Sequence, residues 1–123
     1  MVVWQFLSFS ELSTDQLYEL LQLRSAVFIV ELHNRYLDPD GWDQRALHLL
    51  GHEDGRLIAY SRLLLPGVKR EEAVLSRLVV ADGHRQRGLG SLMIEKRLAY
   101  LREHHAGCAV FTQARDLRVP SYE

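Results

Sequence analysis

The sequence predicts a single α/β (α+β) domain built around a mixed sheet, and three observations carry that expectation. Short apolar runs at residues 2–7, 47–51, 57–65, 73–80 and 108–112 alternate with two stretches of helical spacing. Asp54-Gly55 stands between two of those runs, a strong hairpin signal. The run at 73–80 then passes through Arg85-Gln86-Arg87-Gly88-Leu89-Gly90 into the second helical stretch, the order strand, turn, helix. At 123 residues, 47% hydrophobic and 25% charged, the chain is long enough for one core and too apolar to stay disordered.

Val2-Val3-Trp4-Gln5-Phe6-Leu7 is rich in β-branched and aromatic side chains and reads as the first strand. Ser13-Thr14-Asp15-Gln16 reads as a capping box, in which the Ser13 hydroxyl takes an orphan N–H of the first turn and Gln16 reaches back to the cap. The helix it opens carries Leu17, Leu20, Leu21, Val27 and Phe28 at helical spacing, with Arg24 interrupting the stripe, and extends to about Glu31. Residues 33–44 dissolve into Asn34, Asp38-Pro39-Asp40-Gly41 and Trp42, a loop that either walls a substrate pocket or only connects. The runs flanking Asp54-Gly55 should be antiparallel neighbours. Pro66-Gly67 ends the second of them, and Lys69-Arg70-Glu71-Glu72 makes a solvated turn before the strand at 73–80. After the Gly turn, Met93, Ile94, Leu98 and Leu101 line one side of a helix, with Leu92, Ala99 and Tyr100 on another. Ala106-Gly107 ends that helix, and residues 108–112 form a short fifth strand.

Lys+Arg at 15 against Asp+Glu at 16 gives a formal net charge of -1, so no bulk field draws the chain to nucleic acid or to an anionic membrane. Any anion site must be local. The single cysteine, Cys108, cannot form an internal disulfide, and six scattered histidines without cysteine partners do not make a structural zinc site; a reducing cytoplasm is the expected compartment. No apolar run has the length of a membrane span, and residues 1–9 lack the basic start and cleavage region of a signal peptide.

A strand, a Gly-rich turn and a helix in that order aim several backbone N–H groups and the positive end of the helix at one spot, where a phosphate binds. Spacing separates three such chemistries. A P-loop needs Lys directly after its last Gly, whereas Leu89 follows Gly88 and Ser91 follows Gly90. A dinucleotide fingerprint needs Gly or Ala where Met93 stands, and it belongs near the start of the fold. Arg-x-x-Gly-x-Gly remains: Gly88 and Gly90 let the backbone approach a diphosphate, and Arg85 or Arg87 adds charge. The same residues also suit an ordinary turn, with Gly for geometry and Arg for solvation.

Leu75-Ser76-Arg77-Leu78-Val79-Val80 followed by His84-Arg85-Gln86-Arg87-Gly88-Leu89-Gly90-Ser91-Leu92-Met93 resembles the acetyl-CoA motif of the GNAT acetyltransferases. More narrowly, residues 20–31, Tyr36-Leu37-Asp38-Pro39-Asp40-Gly41 and His48-Leu49-Leu50-Gly51 resemble the ElaA-type branch. The resemblance covers the whole chain and implies one GNAT-like domain over residues 1–123, a mostly antiparallel sheet flanked by helices. The family continues past the position of Glu123 with the rest of a fourth helix and two strands, so the expected domain lacks the last two strands. It further implies that the strands at 73–80 and 108–112 splay, with the pantetheine arm of acetyl-CoA pairing between them like an added strand. The N–H groups of Gln86, Arg87, Gly88, Leu89, Gly90 and Ser91 would then bind the diphosphate. An N–H of Leu78, Val79 or Val80 would polarise the thioester carbonyl.

The implied activity is acetyl-CoA-dependent acetylation of a primary amine on a small molecule or peptide, by direct attack. Two other readings stand beside it: a CoA or acyl-CoA binder without turnover, and a dimerisation module in which the exposed fifth strand pairs with a second copy. Direct transfer needs a base or water relay for the amine and an acid for the thiolate. Tyr122 lies in Val119-Pro120-Ser121-Tyr122-Glu123, similar to the family segment whose Tyr protonates the CoA sulfur. Glu31 is a candidate to bind or deprotonate a cationic amine, or else a solvated helix-end carboxylate. His48 is a candidate base or substrate contact, or a satisfied structural histidine; His52, four residues on, shares its face without an evident third metal ligand. The fourth-strand Glu of many GNAT enzymes is replaced here by Ser76 and Arg77, which leaves the base unassigned. Cys108 and Trp4 read as core, and Trp42 as a loop anchor or a pocket wall.

Overall fold

The structure, a computed structural model, describes residues 1–112. Its strands are β1 (Val3–Ser8), β2 (Leu47–Glu53), β3 (Arg56–Leu64), β4 (Ala73–Val80) and β5 (Val110–Thr112). They form one sheet in chain order, antiparallel from β1 to β4 and parallel between β4 and β5. This is the mixed, mostly antiparallel sheet that the sequence predicts.

Helix α1 (Thr14–Arg24) opens at the predicted capping box: the Gln16 N–H donates to Ser13 Oγ at 3.0 Å and the Ser13 N–H to Gln16 Oε1 at 2.8 Å. The helix does reach Glu31, but its last part, Ser25–Glu31, is wound as a π-helix, closed by a Leu32 N–H to Val27 carbonyl bond of 2.9 Å. Hydrophobic spacing over so short a stretch does not separate the two windings. Leu20 and Phe28 pack with Leu50, Tyr60 and Val79 on one face of the sheet. Helix α2 (Leu89–His104) covers the other face, with Leu89 and Met93 against Leu49 and Ile58, and Leu101 against Leu63 and Leu75. Among the described residues no helix is long and apolar enough to cross a membrane. β5 begins two residues later than residues 108–112 suggest, because the Cys108 N–H turns back to the His105 carbonyl at 3.1 Å.

Trp4 on β1 stands opposite Gly51 on β2, and its ring lies flat over that glycine. A Cβ at Gly51 would fall 2.6 Å from Trp4 Cζ3, inside the contact distance of a rigid ring. Gly51→Ala is therefore expected to destabilise the fold by about 1–3 kcal/mol, the ordinary range for overpacking. A urea midpoint equal to that of the wild type would mean that the indole moves aside freely.

β4 is irregular where it matters. Arg62 stands opposite Ser76 and Tyr60 opposite Val79, so two residues, Arg77 and Leu78, face Ser61 alone. That is a β-bulge, and Arg77 adopts φ +55 within it, a conformation that costs a non-glycine residue about 1–2 kcal/mol.

Candidate functional site

β4 ends at Val80, and the chain then turns through residues 81–88 into α2. Gln86 and Gly88 both take positive φ, 64 and 76, and Gly88 is the left-handed cap that starts the helix. The Leu92 N–H closes the first helical bond, to the Gly88 carbonyl at 3.0 Å, so the N–H groups of Leu89, Gly90 and Ser91 have no intrahelical acceptor. They sit at the positive end of a 16-residue helix. Gly90 faces β4: a Cβ there would meet Leu78 Cδ2 at 3.7 Å, an ordinary contact. Folding alone does not demand glycine at 90.

β5 pairs with β4 only at Ala73, Val74 and Leu75. On that side of residues 76–80 no strand pairs among the described residues. A stretch of open backbone edge therefore runs from the bulge toward the α2 N-terminus. Leu78 and Val80 pack toward the α2 face, and Val79 is buried on the α1 face, so what these three residues can offer a ligand is backbone. Acetyl-CoA fits this frame on two counts: open main-chain donors and acceptors for an extended arm, and free helix N–H groups for a diphosphate.

Both arginines of the Gly turn are engaged by carboxylates. Arg85 forks onto Glu31 at 2.5 and 2.8 Å and sends its Nε to the Val80 carbonyl at 3.0 Å. Arg87 forks onto Glu53 at 3.0 and 2.9 Å. The hydrogen bonds from Arg85 hold the Glu31 carboxyl below the usual carboxylate range, and those from Arg87 hold Glu53 at about 2. Glu31, a candidate base from sequence, is thus brought together with Arg85, a candidate diphosphate ligand. A carboxylate held by a guanidinium is a poorer proton acceptor than a free one.

His48 takes the structural one of its two readings. It is fully buried on β2, with Nε2 2.9 Å from the Asp43 carbonyl and Nδ1 2.6 Å from the Tyr60 hydroxyl. A carbonyl only accepts, so Nε2 carries the proton and Nδ1 accepts from Tyr60. Burial pushes the imidazole pKa down and the Tyr60 pKa up, which keeps both neutral. With both nitrogens occupied in the interior, His48 ties β2 to the loop that carries Asp43. His52 shares the α1 face, as the spacing requires, and lies 3.4 Å from Glu19. Tyr122 lies outside the described residues.

What the sequence reading missed is the ionic cluster beneath this region. Arg24, the interruption in the helical stripe, is fully buried, its Nε 2.8 Å from Asp38 and its Nη1 2.8 Å from Asp43. Arg62 on β3, also fully buried, forks onto Asp40 at 2.9 Å twice and reaches Asp43 at 3.0 Å and Ser76 Oγ at 3.1 Å. Arg77 reaches Asp40 Oδ2 at 3.1 Å and lies 2.9 Å from Asp38 Oδ1. Three arginines and three aspartates balance in charge. Burial alone pushes Asp40 upward, but the Arg62 hydrogen bonds and the nearby guanidinium charges outweigh it and hold the carboxyl at about 2. The available signals were an arginine in each of two apolar runs and the Asp38-x-Asp40 pair. Nothing local joins them.

A sheet whose bulged fourth strand carries an open edge into a Gly turn and the amino end of a helix is the frame of an acyl-CoA-using transferase. The chain belongs to the acetyltransferase (GNAT) family, whose profile matches residues 14–121. It is 41% identical to Protein ElaA of Escherichia coli (strain K12) over 106 residues, 85% of this chain and 69% of that protein. The crystal structure of Escherichia coli ElaA superposes with a TM-score of 0.89 at 37% identity, covering 99% of this chain and 86% of that one. An acyl-CoA N-acyltransferase from Pseudomonas aeruginosa superposes with a TM-score of 0.90 at 32% identity, covering 99% and 87%.

Proposed function

We propose that this protein is an acetyl-CoA-dependent N-acetyltransferase that acylates a primary amine of a small molecule or peptide by direct attack. The observation that carries the proposal is the continuity of the open β4 edge at 76–80 with the free N–H groups at the start of α2. In this reading the backbone of residues 86–91 binds the diphosphate, and an N–H among Leu78, Val79 and Val80 hydrogen-bonds the thioester carbonyl as negative charge develops there. Glu31 and Glu53 orient Arg85 and Arg87 beside the turn and offset their charge, so the backbone N–H groups carry the binding. Acetyl-CoA supplies the acyl group already activated as a thioester. Glu31 engaged by Arg85 and His48 buried leave water as the acceptor of the amine proton, and Tyr122 as the candidate donor to the departing sulfur.

The same two observations favour the second reading, a protein that binds CoA or acyl-CoA without turnover. Saturating acetyl-CoA should raise the melting temperature by the mass-action increment of a specific ligand. Thiol release across a panel of primary amines then separates catalysis from binding. No thermal shift at saturation would defeat both readings.

A further inference from the structure

We infer that Arg77 is a positioning residue for acyl transfer: its side chain, held by Asp38 and Asp40, sets the bulge of β4 and with it the aim of the Leu78 and Val80 N–H groups on the edge away from β3. The inference rests on the acetyltransferase reading above and assigns that site a part it lacks.

Successive residues of a strand point to opposite faces. Ser76 and Arg77 break this rule together: Ser76 Oγ accepts from Arg62 Nε at 3.1 Å, and Arg77 Nη2 reaches Asp40 Oδ2 at 3.1 Å and the Asp38 carbonyl at 3.2 Å. Both side chains enter the same cluster, which is possible only because the chain turns back on itself at φ +55. Glycine would take that conformation without strain, and arginine takes it against a steric cost. The cost is offset where the side chain does something that a hydrogen atom cannot.

The partners of Arg77 are themselves held by other arginines. Asp38 is clamped by Arg24, through Nε at 2.8 Å and, at its carbonyl, through Nη2 at 2.7 Å. Asp40 is forked by Arg62. The Tyr36 ring lies 4.8 Å from the Arg77 guanidinium and completes its enclosure. This is unlike a surface ion pair, whose two long side chains wander. From the opposite face of the sheet, Arg97 Nη1 donates to the Arg62 carbonyl at 3.0 Å, so β3 is pinned opposite the same irregularity. Among the described residues, the β4–β5 ladder ends at Leu75, before the bulge. Asp38 and Asp40 neutralise the Arg77 charge, which argues against a role in binding the cofactor's phosphates. The cluster thereby ties the proposed thioester-binding backbone to the loop at 36–43 and to the end of α1.

The test is Arg77→Gly, which can take the same φ without strain but removes the tether, beside Arg77→Lys, which keeps the charge and loses the fork. Three quantities are read: acetyl-CoA affinity by thermal shift, kcat and KM with an amine acceptor, and the amide chemical shifts of Val79 and Val80, which lie beyond the immediate neighbour of the substituted residue. Arg77→Gly should keep acetyl-CoA affinity within about twofold, lose roughly 10- to 100-fold in kcat, and move the Val79 and Val80 amides. Arg77→Lys should fall between, and it carries the same readouts if Arg77→Gly does not fold. Wild-type kcat in Arg77→Gly, or a kcat loss matched by an equal loss of acetyl-CoA affinity, would overturn the inference, as would unmoved amides. A wild-type protein that acylates no amine would defeat the enzyme reading instead, and the amide shifts would still decide whether Arg77 sets the bulge.

Discussion

Asp43→Ala is expected to cost the fold about 3–5 kcal/mol, a large share of the 5–15 kcal/mol that holds a typical domain together. One oxygen of that carboxylate, Oδ1, serves two arginines, Arg24 at 2.8 Å and Arg62 at 3.0 Å, both with side chains shut off from water. Removing it leaves two buried guanidinium groups short of a counter-charge and two donors short of an acceptor. The loss therefore exceeds the worth of the pairs themselves, because the penalty is an uncompensated buried charge. The Asp43 carbonyl survives the substitution and still accepts from His48, so the loop keeps one anchor. Asp43→Asn, which preserves shape and one acceptor oxygen, should fall between. Urea denaturation at neutral pH measures both, and a loss below about 1 kcal/mol for Asp43→Ala would show that water or another carboxylate reaches the two arginines.

Gly90→Val should leave the fold nearly unchanged and reduce acetyl-CoA affinity roughly 100-fold, about 2.7 kcal/mol. The two halves of this expectation have separate causes. Gly90 lies in the first turn of α2 without positive φ, and a Cβ there meets Leu78 Cδ2 at a comfortable 3.7 Å. A helix also prefers most residues to glycine, so the stability change stays within about 1 kcal/mol. A side chain at 90 instead stands between the turn and β4 at Leu78, along the path proposed for the ligand, and closeness of backbone to ligand is what it removes. Gly90→Ala should give a smaller loss in the same direction. Gly88 is the poorer probe, because its φ of 76 makes any side chain strained before a ligand is considered. Calorimetry with acetyl-CoA on Gly90→Val gives the answer, and unaltered affinity would refute backbone approach at this turn.

The elements legible in the residues were those with local causes. The Ser13 to Gln16 capping box, the Asp54-Gly55 hairpin and the strand, Gly turn and helix from 73 onward each rest on chemistry within a few positions, and each forms as read. The Gly turn belongs to this group, since glycine at 88 suits the left-handed cap that starts α2. The ElaA-type resemblance, carried by separate stretches of the chain, agrees with the family match and the superposed structures. The π winding of Ser25–Glu31 was not legible, because one widened turn barely alters which residues share a face.

Individual side chains fared differently. His48, Glu31 and Arg85 were picked out for their chemistry, yet their present roles come from partners far along the chain: Glu31 lies 54 residues from Arg85, and His48 lies 12 from Tyr60. Arg24 read as a break in an apolar stripe and is instead the centre of a buried cluster whose aspartates lie 14 and 19 residues away. Local spacing and turn chemistry set the order of the elements, the Gly turn and the family, since backbone propensity and hydrophobic period act over one or two turns. Tertiary packing alone decided which charges lie inside, which carboxylate answers which arginine, and how β4 bulges at Arg77. An ionisable side chain carries its charge everywhere, but its desolvation and its partner exist only once distant segments meet.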